Sequence, residues 1–138
     1  MGQVIDTSVF VTMELRELGL ASLLAASPVP GEEVFLSSFT VSELLAGFHT
    51  APLGSRRQQM EAFLEAILET IPILPFGLRE ARAYGLLWAQ LLASGQKIKV
   101  FDALIAATAL SNGHGIITED LSRFQRVPGL AVVSPRWT

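Results

Sequence analysis

Four acidic residues occur where a short apolar run gives way to a predicted helix, or within the first turn of such a helix: Asp6, Glu43, Asp102 and Asp120. Carboxylates without His or Cys ligands favour hard divalent cations such as Mg²⁺ or Mn²⁺. Such an ion activates water and stabilises the charge on a transferring phosphoryl group. If the fold brings these acids together, the chemistry that they indicate is phosphodiester cleavage.

The hydrophobic pattern predicts short strands that alternate with helices. Strands are predicted at 3–6, 33–36, 73–74, 116–117 and 131–133, and helices at 15–26, 40–48, 55–70, 78–93, 101–110 and 119–124. This alternation is typical of an α/β fold with a parallel sheet and helices on both faces. Ligands bind such sheets at the carboxyl ends of the strands, where the helices begin. All four acids are therefore expected at one edge of the sheet.

Each acid, taken singly, also has a structural explanation. Thr40 and Glu43 fit a helix capping box, with Phe39 packing on Leu44, and Asp6 or Asp120 could cap the helix that follows it. Asp102 fits this explanation least.

The neighbours of Asp102 are apolar, and no Lys or Arg lies within the helical turn after it. A buried carboxylate without a partner is costly. A cluster of acids also repels itself unless a cation neutralises it. If the acids are functional, Asp6→Asn and Glu43→Gln should abolish activity, while the metal-free stability holds or rises.

Composition narrows the class of protein. The 138 residues are expected to form one domain, 1–138, and half of them are hydrophobic, with a mean hydropathy of +0.44. Cysteine is absent, which excludes disulfides and thiolate catalysis. The formal charge of −3 argues against a broad basic face for nucleic acid. Neither a signal-peptide pattern nor a membrane-length apolar run is present, so a cytoplasmic protein is expected.

Several motifs carry a family resemblance. They are the run Val4–Phe10, Ser42-Glu43-Leu44, the stretch Gly95–Ala107, Thr118-Glu119-Asp120 and the stretch Phe124–Leu130. In this order they resemble the PIN-domain VapC toxins of bacterial toxin–antitoxin pairs. The resemblance implies a three-layer α/β/α sandwich with a central parallel sheet of about five strands. It also implies an endoribonuclease that depends on Mg²⁺ or Mn²⁺, and a partner antitoxin of the VapB kind.

Carried over by position, the resemblance assigns the acidic, metal-binding site to the four carboxylates already named. It gives supporting roles to Ser8, beside the first acid, and to Thr118, which helps to order the fourth. The family often has Pro-Ile-Gly where this chain has Lys97-Ile98-Lys99. Two sets of basic residues, Lys97 with Lys99 and Arg56 with Arg57, could contact RNA phosphates; they could equally be solvated surface charges.

Two apolar surfaces and one rival function complete the predictions. The stripe Tyr84, Leu87, Trp88 and Leu91 indicates core packing or a homodimer face. Phe10, Met13 and residues 15–24 could pack in the core or dock an antitoxin helix. The rival function is a catalytically silent PIN-like module that binds RNA or protein, which a lack of divalent-metal binding would favour.

Overall fold

The structure, a computed structural model, describes residues 1–137. Its sheet has five parallel strands: β1 Gln3–Ile5, β2 Val34–Ser37, β3 Ile73–Leu74, β4 Gly115–Ile117 and β5 Val132–Val133. Their order across the sheet is β3-β2-β1-β4-β5. The predicted parallel α/β fold is confirmed, and the first strand along the chain is the central one.

Six α-helices connect or flank the strands: α1 Thr7–Arg16, α2 Leu20–Leu24, α3 Ser38–Thr50, α4 Ser55–Thr70, α5 Leu78–Ala93 and α6 Val100–Ser111. The bounds of α4 and α5 match the prediction. The predicted single helix over 15–26 is wrong in its bounds, because α1 ends at Arg16 and only Leu20–Leu24 of the remaining range forms a helix, α2. Glu17 adopts a left-handed conformation with φ 53°, and its N–H donates to the last carbonyls of α1. The predicted helix over 119–124 is a single 3₁₀ turn, Leu121–Arg123.

Two hydrophobic clusters lie on opposite faces of the sheet. Val4 of β1 packs in the cluster with α5 and α6, and the next residue, Ile5, packs in the cluster with α1 and α4. Successive strand residues point to opposite faces, so β1 is buried on both sides. The three-layer arrangement is thereby confirmed. The stripe on α5 packs in the first cluster, with Leu87 and Leu91 buried.

Strand register brings the carboxyl end of β1 beside that of β4. Ile5 is level with Ile117, and the Asp6 N–H donates to the Ile117 carbonyl at 2.9 Å. Asp6 and Thr118, the residues that follow these strands, therefore meet at one edge. Within residues 1–137, no helix is long and apolar enough to cross a membrane.

Candidate active site

Asp6 is a fully buried carboxylate at the junction of β1 and α1. Its Oδ2 accepts hydrogen bonds from the hydroxyls of Ser8 at 2.6 Å and Thr118 at 3.0 Å, and from Arg123 Nη1 at 2.8 Å. The Ser8 N–H also donates to Oδ2, at 3.3 Å. Asp6 therefore caps α1, as its structural explanation required, and also accepts bonds from a cation and two hydroxyls.

Asp102 lies in the first turn of α6 and is 4% exposed. Its predicted burial is confirmed, and it has a basic partner that lies beyond the helical turn after it. Arg123 donates from Nε to Asp102 Oδ2 at 3.2 Å and from Nη2 to Asp102 Oδ1. The partner was missed because it lies 21 residues further along the chain, well beyond one helical turn.

Arg123 links the two buried acids. It ends the 3₁₀ turn after β4, and its guanidinium also stacks over the Phe124 ring, 5.0 Å from the centroid. The hydrogen bond to Asp102 is the main cause that raises the pKa of Arg123 above its usual value. The guanidinium is therefore firmly charged. No motif in the sequence predicted a role for this residue.

Glu43 is exposed on α3, and its Oε1 accepts a hydrogen bond from the Thr7 hydroxyl at 2.7 Å. Thr7 directly follows Asp6, so this bond connects Glu43 to the edge of the sheet that carries the buried acids. The capping-box explanation is wrong, because α3 begins earlier than predicted. Ser37 caps it by accepting from the N–H groups of Phe39 and Thr40 at 3.1 and 3.3 Å.

Asp120 faces solvent, and its carboxylate accepts from the Ser122 hydroxyl at 2.6 Å. Its side chain does not cap the 3₁₀ turn. The Asp120 N–H donates to the Thr118 hydroxyl at 3.1 Å, and that hydroxyl donates in turn to Asp6. Asp120 is thus connected to the site through Thr118 rather than by its own carboxylate.

The hydroxyls of Ser8 and Thr118 lie 3.2 Å apart, and both contact Asp6. Ser8 Oγ also accepts from the Glu119 N–H at 3.1 Å. These bonds tie the beginning of α1 to the segment after β4. They hold the Asp6 carboxylate in one orientation, which is what a supporting residue at a carboxylate site does.

The donor chemistry fits a hard cation at two of the four predicted acids. Asp6 and Asp102 direct oxygen atoms at the same guanidinium, so one cation is within reach of both. Within residues 1–137, no three acidic or His side chains are grouped closely enough to hold a metal ion. Glu43 is connected to this pair only through Thr7, and Asp120 through Thr118, among the hydrogen bonds of residues 1–137.

The basic residues predicted to contact RNA lie on two segments, the one before α6 and the beginning of α4. Lys97 and Lys99 are exposed before α6, and the Lys97 carbonyl accepts from Arg126 Nη1 at 2.8 Å. Arg56 forms a salt bridge with Glu14 of α1. Arg57 donates to the Ala51 carbonyl at 3.1 Å and lies over an aromatic ring. Their role toward RNA stays a prediction.

An open, mainly apolar groove of about 710 Å³ lies between α1, α3 and α4. Thr7 and Glu43 are among its lining residues, so the groove reaches the acidic site. The apolar part of its lining consists of Phe10, Val11, Met13, Leu18, Leu44, Met60, Phe63 and Leu64. Val11 is 57% exposed, which leaves apolar surface available to a partner.

Comparison with known proteins defines the class. The PIN domain family matches residues 4–130. The chain is 36% identical over 137 residues to VapC ribonuclease Y4jK of Sinorhizobium fredii, covering 96% of each protein. It is 34% identical over 134 residues to plasmid stability protein StbB of Pseudomonas syringae pv. tomato, covering 95% of this chain and 96% of that protein.

Solved structures agree with this assignment. VapBC-5 of Mycobacterium tuberculosis, described as a member of the VapBC family of toxin-antitoxin systems, matches with a TM-score of 0.73 and 29% identity, covering 96% of this chain and 98% of that one. The chain therefore belongs to the PIN-domain family and, within it, groups with the VapC ribonucleases.

Proposed function

We propose that this protein is a metal-dependent endoribonuclease that acts as the toxin of a VapBC-type toxin–antitoxin pair. Membership of the VapC group supports the ribonuclease and toxin parts. The observation that carries the chemistry is the pair of buried carboxylates, Asp6 and Asp102, directed at one cation at the carboxyl edge of the sheet. That edge is where open parallel sheets bind their ligands.

Asp6 and Asp102 would hold Mg²⁺ or Mn²⁺, with Glu43 and Asp120 completing the acidic site. When bound, the ion activates water and stabilises the charge on the transferring phosphoryl group. The hydroxyls of Ser8 and Thr118 fix the orientation of Asp6. Because Thr7 donates to Oε1 of Glu43, the second oxygen, Oε2, is the one that would accept a proton from the attacking water at the exposed edge.

The substrate RNA would meet this edge from the solvent side. The chain has a formal charge of −3, so binding of phosphates requires local positive charge. Lys97 and Lys99 are exposed immediately before α6, which carries Asp102 in its first turn. These two lysines are the proposed phosphate contacts nearest in sequence to a buried acid.

The test is cleavage of total bacterial RNA by purified protein, freed of any antitoxin, with Mg²⁺ or Mn²⁺ and with EDTA. We expect metal-dependent cleavage that falls on the order of 100-fold in Asp6→Asn. Asn keeps the helix cap, so this loss would report the chemistry rather than the cap. Glu65→Gln, which changes an exposed acid in the middle of α4, is the matched control. Equal cleavage by wild type and Asp6→Asn, or cleavage that survives EDTA, would contradict the proposal.

A catalytically silent module that binds RNA or protein is the second candidate. The observation that favours it is the guanidinium of Arg123, which already neutralises part of the charge of both buried acids. Titration with Mn²⁺ in a calorimeter separates the two candidates. Binding of Mn²⁺ would support the metal-dependent enzyme. Folded protein that neither binds Mn²⁺ nor cleaves RNA would support the silent module.

The partner would be an antitoxin of the VapB kind. The groove between α1, α3 and α4 is the surface proposed to receive it, because the groove is apolar and reaches Glu43. An apolar helix face or extended segment of the antitoxin could lie in the groove and place its end at the acids. Such an arrangement would cover the site and block RNA.

A further inference from the structure

One cation of the protein itself lies between the two acids proposed to bind metal. Arg123 donates from Nη1 and Nη2 to the two oxygens of Asp6, at 2.8 and 3.4 Å. It donates from Nε and Nη2 to the two oxygens of Asp102. All four carboxylate oxygens thus accept from a single guanidinium. The Arg123 side chain is 30% exposed, so the guanidinium lies at the boundary between the buried acids and solvent.

The carboxylate oxygens of Asp6 and Asp102 leave room for one cation but not for two. Asp6 and Asp102 together carry two negative charges, and Arg123 contributes one positive charge. A divalent ion bound by the same oxygens would neutralise the pair completely. The oxygen lone pairs that accept from the guanidinium are those that would bind the ion, and the two cations repel each other at short range. Occupation by one therefore opposes occupation by the other.

We propose that Arg123 is an exchangeable counter-cation, which pairs with Asp6 and Asp102 in the metal-free protein and leaves them when a divalent ion binds. This inference rests on the proposed metal site. Arg123 ends a turn of only three residues, and its partly exposed side chain has a direct path to solvent. Only molecules in which Arg123 is not paired with the two acids accept the ion. The apparent metal affinity is therefore reduced in proportion to the fraction of such molecules.

The experiment is calorimetric titration of Mn²⁺ into wild type, Arg123→Met and Arg126→Met. Arg126 is the matched control, because it is an exposed arginine three residues away whose guanidinium contacts the Lys97 carbonyl instead of an acid. We expect Arg123→Met to bind Mn²⁺ about 10-fold more tightly than wild type, or tighter still. Arg126→Met should bind like wild type.

Thermal melting gives a second readout that a merely structural arginine would not produce. Without metal, Arg123→Met should melt below wild type, because two buried acids lose their counter-charge. Saturating Mn²⁺ should narrow that difference, since the ion replaces the missing charge. The exchange would be overturned if Mn²⁺ left the difference in melting temperature between the two proteins unchanged and if Arg123→Met bound Mn²⁺ no more tightly than wild type.

The outcomes also separate this inference from the proposed function. Mn²⁺ binding of equal strength in wild type and Arg123→Met overturns the exchange and leaves the metal site standing. If neither protein binds Mn²⁺, the metal site and the exchange fail together. Binding by Arg123→Met alone would mean that Arg123 occupies the site permanently, which overturns the exchange and favours the silent module.

Should Arg123→Met fail to fold, the wild-type protein still provides a test. The Nε–H of Arg123, identified by its loss in Arg123→Lys, should exchange slowly with water in EDTA, because it is bonded to Asp102. We expect Mg²⁺ to shift this NMR signal and to accelerate its exchange. A signal that does not change at saturating Mg²⁺ would contradict the proposal.

Discussion

At the scale of single residues, Asp6 performs two tasks with one carboxylate. It caps α1 through the Ser8 N–H, and it takes part in a buried network with two hydroxyls and a guanidinium. Hydrogen bonds to a charged group contribute more than bonds between neutral groups, and losing one partner of a buried pair is costly. The capping and site interpretations of Asp6 are therefore compatible rather than exclusive.

The salt bridge to Arg123 changes what Asp6→Asn should do to stability. From the sequence, the metal-free stability of Asp6→Asn was expected to hold or rise. Because Arg123 neutralises the acids, the free energy of unfolding of this variant in EDTA should instead fall by about 2 kcal/mol. Glu43→Gln should change the free energy of unfolding by less than about 0.5 kcal/mol, because Glu43 is exposed. Urea denaturation of both variants in EDTA is the measurement. An Asp6→Asn protein as stable as wild type would mean that the acids repel each other despite Arg123.

The sequence identified the acids but not the residue that joins them. Asp102 could be predicted as buried from its apolar neighbours. Arg123 could not be predicted as its partner, because arginines on surface turns are common and nothing local marks this one. Its contacts span 21 residues to Asp102 and 117 residues to Asp6. The parallel pairing of β1 with β4 brings Asp6 to the segment that carries Arg123.

At the scale of elements, the strands and long helices follow from local patterns, whereas their ends depend on tertiary contacts. The bounds of α4 and α5 were predicted correctly, and Gly95 follows the end of α5 as the prediction required. The beginning of α3 was placed too late, since Ser37 at the end of β2 supplies its cap. A serine within an apolar strand gives little sign of a helix boundary, because the same residue completes the strand.

The residue before β4 makes the stability of the sheet depend on pH. Nδ1 of His114 accepts from the Gly2 N–H at 3.0 Å, and the ring stacks on Phe35. Burial, and then repulsion by the amino terminus, lowers the pKa of His114 below its usual value. The folded state therefore favours the neutral ring. Its contribution to stability is complete above about pH 6.5 and is lost as the pH falls through the lower folded pKa.

We expect the urea midpoint of the wild type to decrease between pH 7 and pH 5. His114→Gln should flatten this decrease, because glutamine can still accept from Gly2 but does not titrate in this range. His49→Gln, at an exposed position of α3, is the control and should keep the wild-type slope. Parallel pH profiles for wild type and His114→Gln would contradict the assignment.

At the scale of the whole molecule, the groove extends to Glu43 at the exposed edge of the acidic site. Thr7 and Glu43 line the groove, and Thr7 is adjacent in sequence to Asp6. A segment that fills the groove would therefore extend toward the carboxylates. Arg56, paired with Glu14, lines the same groove and could meet acidic groups of a partner. Recognition of the antitoxin and inhibition of the nuclease would then depend on one surface.

Val11→Glu tests this surface. Placing a charge on the exposed apolar side chain should weaken binding of the VapB-like protein encoded by a neighbouring reading frame by about 10-fold or more. Leu92→Glu introduces the same charge on α5, where Leu92 is 67% exposed, and should leave binding unchanged. Calorimetry with the purified antitoxin measures both. Weakening by Leu92→Glu alone would place the antitoxin on α5 instead.

The central position of β1 has a consequence for the order in which the protein is made. β1 is synthesised before every other strand, yet its neighbour β4 follows more than 100 residues later. At about 5–20 residues per second, translation leaves β1 without that neighbour for on the order of 10 s. Asp6 meets Thr118 and Arg123 only after this delay. If Asp6 acts in catalysis as proposed, the nuclease remains inactive on the ribosome until β4 and the turn that ends at Arg123 have emerged.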